Sequence, residues 1–444
     1  MNTITQSLYR ELSQAHTDSV RIEDFTTNSC VYKKVLRFLG EEPDKDLEGS
    51  KALSSEMSKR IKAKVLEYSQ ECFGDRFTPG YTAQLHDLVD VEFAGAIDNQ
   101  LFEVIVVSGG AYDGILSRGL PSWVKATVAV KAHLTKKKSA HLILFSRNNQ
   151  KWSGWTLSGN FSVCAKEILG DVKKFKAMLG GAQADGDKNS CNRCEFKSRC
   201  TAIKEKAVAP LTVKEIRSTP NSDLCSDLDS HLWGMNRKKN SRATHCIHPS
   251  EFSISSCDRR IAYGLLGSPR RSEISPSLRR IFDVGHILHD IVQESISKAF
   301  GDSCEIEAPV RHESLKIRGS CDGVLHGTDG LEIKSISSKG FDKLSNPKRD
   351  HQKQATLYGV PRNLERMIYL YGNKDTGEIA EFNKPVDKGL WHTLAARAES
   401  IIRTADKGEM PDRTTKAYEC SKCPFVDTCA PTQPRPIRKI GGLR

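Results

Sequence analysis

A chain of 444 residues, 38% hydrophobic and 27% charged, has the composition of a folded protein and is too long for one ordinary core, so two or three domains are expected. The amino-terminal MNTITQSLYRELSQ has no basic region followed by an apolar run, and no apolar stretch approaches the roughly 18 residues that cross a bilayer. That reading excludes membrane partners and predicts a cytoplasmic protein, while the net charge of +12 suits an acidic partner such as nucleic acid, whose counterions are released on binding.

In chain order, the first marker is Cys30 in EDFTTNSCVYKKVLRFLG, followed by the helical stretch EMSKRIKAKVLEYSQECFGD at 56–75. GAIDNQLFEVIVVS carries Asp98 and Glu103, and HLILFSRNNQKWSGWTL fills 141–157. A triplet of C-x2-C-x5-C spacing follows, Cys191, Cys194 and Cys200. The polar, Lys-rich stretch 203–247 is predicted to be a linker. Beyond it the same series returns: Cys257 in SEFSISSCDRRIAYGLLG, an amphipathic helix over 275–300, MIYLYGNKDTGEIAEFN at 367–383, and the triplet Cys420, Cys423 and Cys429. Stretch 56–75 aligns without gaps on 283–302, and 257 − 30 = 227, so the chain reads as two domain-sized copies with a period of about 227 residues. The expected boundaries are 1–202, a linker 203–247, 248–432, and a basic tail 433–444.

The 14 cysteines are many for a cytosolic chain, where disulfides are rare, so ligation of a metal or cluster is the expected role. Each triplet is one thiolate short of four. The missing ligand is assigned to the early cysteine of the same copy, Cys30 for the first (191 − 30 = 161 residues) and Cys257 for the second (420 − 257 = 163 residues). Such a site clasps the two ends of a domain. Four cysteines suit tetrahedral zinc and a 4Fe–4S cluster alike. Cys72, Cys164, Cys225, Cys246, Cys304 and Cys321 read as small buried residues.

The second copy carries more chemistry. On its long helix Ile281, Val284, Leu288, Ile291 and Val292 are predicted to form the apolar face, with His289 four residues after Gly285. Two strands follow, IRGSCDGVL (317–325) and GLEIKSIS (330–337), which set Asp322 ahead of Glu332 and Lys334; the last two, spaced by two, share a strand face. Paired carboxylates hold Mg2+ or Mn2+, an adjacent lysine stabilises charge on a phosphate, and a histidine nitrogen biases the site toward Mn2+. After a stretch at 339–353 with five Lys/Arg against two Asp, Gln354 and Tyr358 lie one turn apart on a predicted helix ended by Pro361.

G-x3-H, G-x2-D, E-x-K and Q-x3-Y, bracketed by an early cysteine and a late C-x2-C-x5-C, resemble the PD-(D/E)xK nucleases of the RecB type, and among them the iron–sulfur branch that includes AddB and the CRISPR-associated RecB-like exonuclease. The resemblance covers about 250–431. It implies an α/β fold with a mixed sheet flanked by helices, one such restriction-endonuclease-like domain per copy. It also implies a 4Fe–4S cluster on Cys257, Cys420, Cys423 and Cys429, and divalent metal at His289, Asp322 and Glu332. Lys334 is then the catalytic lysine, with Gln354 and Tyr358 positioning the site, and the cluster is favoured over zinc.

The first copy is expected to be silent. Ser58 and Lys62 stand where Gly285 and His289 stand in the second, Ile105 replaces the lysine, KATVAVKAHLTKKK has no Q-x3-Y, and only Asp98 and Glu103 are expected to persist. A second cluster, or zinc, is expected on Cys30, Cys191, Cys194 and Cys200. The reading is a DNA exonuclease acting on single strands or duplex ends, with a helicase or recombination protein as a partner; the sequence has no G-x4-G-K-[ST] loop, so helicase activity is not expected of these residues. The alternative is a non-catalytic, cluster-bearing DNA-binding or assembly module.

Overall fold

The computed structural model describes residues 3–14, 20–21, 49–85, 89–179, 186–187, 205–206, 212–235, 243–254, 257–271, 274–413 and 417–429. Cys30, Cys191, Cys194, Cys200 and the tail 433–444 lie outside the described residues. The architecture is mixed α/β.

Helix α1 (Thr3–Gln14) and the long α2 (Gly49–Phe73) precede a sheet of six strands. In chain order these are β1 (Phe77–Pro79), β2 (Gly95–Ile97), β3 (Gln100–Val107), then, after α3 (Ser122–Leu134), β4 (Ser139–Ser146), β5 (Trp152–Gly159) and β6 (Ile216–Pro220). Helix α4 (Ser222–Met235) follows. The stretch expected as a linker thus contains a strand paired antiparallel with β5 and a helix whose Leu224, Leu228 and Leu232 are buried. Its polar composition hid this, because an i, i+4, i+8 stripe of three leucines suffices to seat a helix.

The second sheet takes β7 (Cys304–His312), β8 (Ile317–Leu325), β9 (Asp329–Ile336), β10 (Arg366–Asn373) and β11 (Ile379–Pro385). It is preceded by α5 (Pro276–Phe300), interrupted by α6 (Arg349–Gly359) and followed by α7 (Lys388–Asp406). Ser275 caps α5, accepting from Leu278 N, with Pro276 at the first helical position and Gly301 beyond its end. Along β1 to β5, and again along β7 to β11, neighbouring strands pair antiparallel, antiparallel, parallel, antiparallel. Helices α3 and α6 connect the parallel pairs, as parallel strands require.

One core lies between the sheets. Leu53, Met57, Ile61 and Val65 of α2 meet Val284, Leu288, Ile291 and Ile296 of α5, with Phe102 and Val104 from one sheet and Leu331 and Ile333 from the other. Ile281, expected on this face, is instead 39% exposed, while its neighbour Arg280 is buried over the Trp152 ring. Polar contacts cross in matching pairs. Gly109 N donates to Asp375 Oδ1 at 2.8 Å and Ser338 N to Asn148 Oδ1 at 3.4 Å; the acceptors lie 375 − 148 = 227 residues apart and the donors 338 − 109 = 229. Arg60 adds a bidentate pair to Glu294, with donor–acceptor distances of 2.8 and 2.6 Å. Helix α1 reaches across to the far sheet, where Thr5 Oγ1 donates to Glu381 Oε2 and Tyr9 OH to Gly377 O.

Because Leu288 is fully buried in this shared core, Leu288→Ala is expected to lower stability by about 3 kcal/mol. Urea unfolding followed by tryptophan fluorescence and by circular dichroism should shift together, as one transition.

Candidate functional site

The hairpin β8–β9 pairs as far as Gly323 with Leu331 and then opens. The next rung would join Asp322 and Glu332. Instead, Ile333 N donates to Asp322 Oδ2 at 2.6 Å, so a carboxylate enters where a backbone carbonyl would have bonded. His289, on α5, sets Nδ1 3.7 Å from Asp322 Oδ1. Glu332 is 0% exposed; Lys334 Nζ stands 2.5 Å from its Oε1, and its Oε2 has no hydrogen-bond partner. On α6, Gln354 Nε2 donates to Tyr358 OH at 3.0 Å, and the Tyr358 ring packs beside Gly319, where a Cβ would lie 3.3 Å from it. All six residues singled out in the sequence therefore gather around the opening of this hairpin.

Burial governs the electrostatics. It raises Glu332 to about 7, against the pull of Lys334 and with the push of Asp322, and it raises Asp322 despite His289 and Lys334. It lowers His289, which is therefore neutral at neutral pH and able to offer a ring nitrogen. For Lys334 burial acts downward but Glu332 and Asp322 outweigh it, so its pKa is raised and it remains an ammonium. Among the described residues no group of three or more His, Cys, Asp or Glu side chains is placed to hold a metal ion. The donor set nevertheless fits a hard divalent cation: a buried carboxylate oxygen without a donor, a second carboxylate and a neutral imidazole are what such an ion takes.

The sequence reading missed Glu307, Gln293 and Ser320. Gln293, one turn beyond His289, donates to the Asp322 carbonyl at 2.8 Å and to Glu307 Oε1 at 2.9 Å, and Ser320 Oγ donates to Glu307 Oε2 at 2.6 Å. Glu305 and Glu307 alternate along a strand and read as an ordinary solvated face, so no local signal marked them.

The corresponding hairpin of the first half corrects one expectation. Asp98 does not face Glu103. With Asn99 it forms the tight turn between β2 and β3, both residues at positive φ, and it pairs with Arg76. The rung beyond Gly95–Phe102 would instead join Ala94 to Glu103, so the carboxylate partner is missing. Glu103 is fully buried between Lys62 Nζ at 3.0 Å and Lys131 Nζ at 2.9 Å. Burial pushes its pKa up, yet Lys131 and Lys62 together hold it below the usual value. Two ammonium groups thus take the charge-balancing place of a cation.

Cys257, Cys420, Cys423 and Cys429 are described, and none is in a disulfide. Cys257 precedes the helix Asp258–Leu265. The segment 417–429 docks on the end of that helix and the loop after it through buried Phe425, whose ring lies 5.5 Å from Tyr263, through Arg270 over the same ring, and through the Arg271–Asp427 pair. Burial raises the Cys423 thiol, and Cys257 and Cys429 are close enough to add to the rise.

No family model matches the sequence, and no curated protein does. Among solved structures the chain overlaps SSO0001 at 18% identity with a TM-score of 0.31, covering 46% of this chain and 97% of that one. It overlaps an alkaline exonuclease of Laribacter hongkongensis, LHK-Exo, at 13% identity and TM-score 0.31, covering 40% and 93%, and the same exonuclease with dAMP at 14% identity. Overlaps this slight carry no functional conclusion.

Two measurements follow from the geometry. Lys131→Met is expected to cost about 3 kcal/mol by leaving a buried carboxylate undercompensated, and adding Glu103→Leu should recover most of it, as read by chemical denaturation. His351, stacked on Tyr371, is lowered to about 4 by burial and then by Lys334. Its unfolded form binds a proton near pH 6.5, so the stability it lends is present above that value and lost as pH falls toward 4, by at most about 3 kcal/mol. His351→Gln should flatten the stability profile over that window.

Proposed function

We propose that the second half is a metal-dependent DNA nuclease, an exonuclease working on single strands or duplex ends. The single observation that carries the reading is the buried Glu332 carboxylate, unpartnered at Oε2, with Lys334 at its Oε1, the Asp322 charge acting on it, and His289 beside Asp322. His289, Asp322 and Glu332 would hold Mg2+ or Mn2+, which when bound supplies Lewis acidity toward a phosphodiester and an activated water. The chain's own groups have separate tasks. Lys334, kept protonated by its carboxylate neighbours, stabilises charge on the phosphate and does not serve as a base. Gln354 and Tyr358 fix one another on the helix over the sheet. The chain's net charge of +12 and the Lys/Arg excess at 339–353 favour a polyanionic substrate.

We read the two halves as a tandem duplication, supported by the repeated strand pairing and by crossing contacts at positions 227 and 229 residues apart. The first half, with Glu103 quenched by two lysines, takes the non-catalytic role of gripping DNA or a partner such as a helicase. A 4Fe–4S cluster on Cys257, Cys420, Cys423 and Cys429 is proposed to clasp the second half, and a second cluster or zinc the first. Docking of 417–429 near Cys257 supports the former.

Asp322→Ala, Glu332→Ala and Lys334→Ala are each expected to abolish cleavage of end-labelled DNA in Mn2+ while leaving DNA affinity within a few-fold. Wild-type cleavage by Lys334→Ala would refute the assignment, and comparison with circular DNA separates exonuclease from endonuclease action. Anaerobically purified protein should be brown, and Cys420→Ala should lose iron, protease resistance and activity together; a colourless protein with stoichiometric zinc would replace the cluster by zinc.

A further inference from the structure

Glu307 sits in the middle of β7 with φ +52, a conformation that non-glycine residues rarely adopt within a strand. The β7–β8 ladder passes from Ile306–Gly323 to Ala308–Cys321 and skips the rung between, which is Glu307 opposite Asp322. Register is kept on both sides, so the distortion is confined to this residue. Its side chain is nonetheless held by two donors from different elements, Gln293 of α5 and Ser320 of β8. Gln293 also grips the Asp322 carbonyl, tying the two acidic residues to one amide. The Glu307 charge acts on Asp322, Glu332 and His289 alike. A strained residue on an exposed strand position, fixed by its neighbours and opposite Asp322 across the ladder, points to a function that uses the strain.

We propose that Glu307 is a third carboxylate of the cation site, a positioning residue that tightens divalent-metal binding by His289, Asp322 and Glu332. This rests on the nuclease reading above. Like charges repel unless a cation lies among them, and the Gln293 and Ser320 bonds hold the Glu307 carboxylate in place before the ion arrives.

The test is Mn2+ binding to the full chain, followed by the Mn2+ spin-resonance signal and by calorimetry, alongside thermal unfolding in EDTA. Glu307→Gln is expected to weaken Mn2+ about ten-fold and to raise the Mn2+ concentration needed for half-maximal cleavage by a similar factor, with DNA affinity in EDTA unchanged. Glu307→Gly, which accepts φ +52 without strain, should weaken Mn2+ equally while unfolding at the same temperature as wild type or higher. A purely structural glutamate would show the reverse, a lowered unfolding temperature with unaltered Mn2+ affinity, and that result overturns the proposal while wild-type binding and cleavage keep the nuclease reading. If wild-type protein neither binds Mn2+ nor cleaves DNA, the nuclease reading itself fails, and this inference with it.

Discussion

Helices α2 and α5 lie against each other between the two sheets, and the rest of the structure depends on that contact. Each helix covers its own sheet and also the other helix, so one core is shared by the two halves, beside further clusters that each half keeps to itself. Apolar burial at about 25 cal/mol per Å2 is the dominant favourable term in folding. A core drawn from both halves therefore makes their association part of folding. Polar contacts at the rim, Gly109–Asp375 and Ser338–Asn148, fix the relative orientation that the apolar contact alone leaves loose.

The same packing sets the candidate site. Leu288 and Ile291 turn one side of α5 into the core, and that fixes His289 and Gln293 on the side where β8 and β9 part. Leu331 and Ile333 face the core, so the residues between and beyond them, Glu332 and Lys334, face α6. Desolvation then does the chemical tuning: it disfavours the charge on Glu332, which a cation replacing the proton would compensate, and it keeps His289 a neutral imidazole with a ring nitrogen to offer. In the first half an equivalent carboxylate, Glu103, is equally buried, but its need for positive charge is met from within by Lys62 and Lys131. The two halves thus meet the burial of a carboxylate in different ways.

Much of this was legible in the residues. The period of 227 anticipated helices that end at Phe73 and Phe300, and the alternation of IRGSCDGVL and GLEIKSIS anticipated β8 and β9 to within a residue. The fixed two-residue spacing of Glu332 and Lys334 was enough to put both on one face. Lys62 was recognised as the replacement for His289, because both lie on a helix where register is set by a spacing of four.

What only the tertiary structure decided depends on register between strands, or on residues far apart in the chain. Asp98 seemed a natural partner for Glu103, but a tight two-residue turn claims it and shifts the matching position to Ala94. Lys131 reaches Glu103 from 28 residues away, a helix and a strand apart. Glu307 is exposed like many strand carboxylates, and only the skipped rung and the Gln293 and Ser320 bonds tie it to Asp322. Local patterns carry periodicity, which determines faces. They carry no information about which rung of one strand meets which rung of the next, and a one-residue shift there exchanges every face.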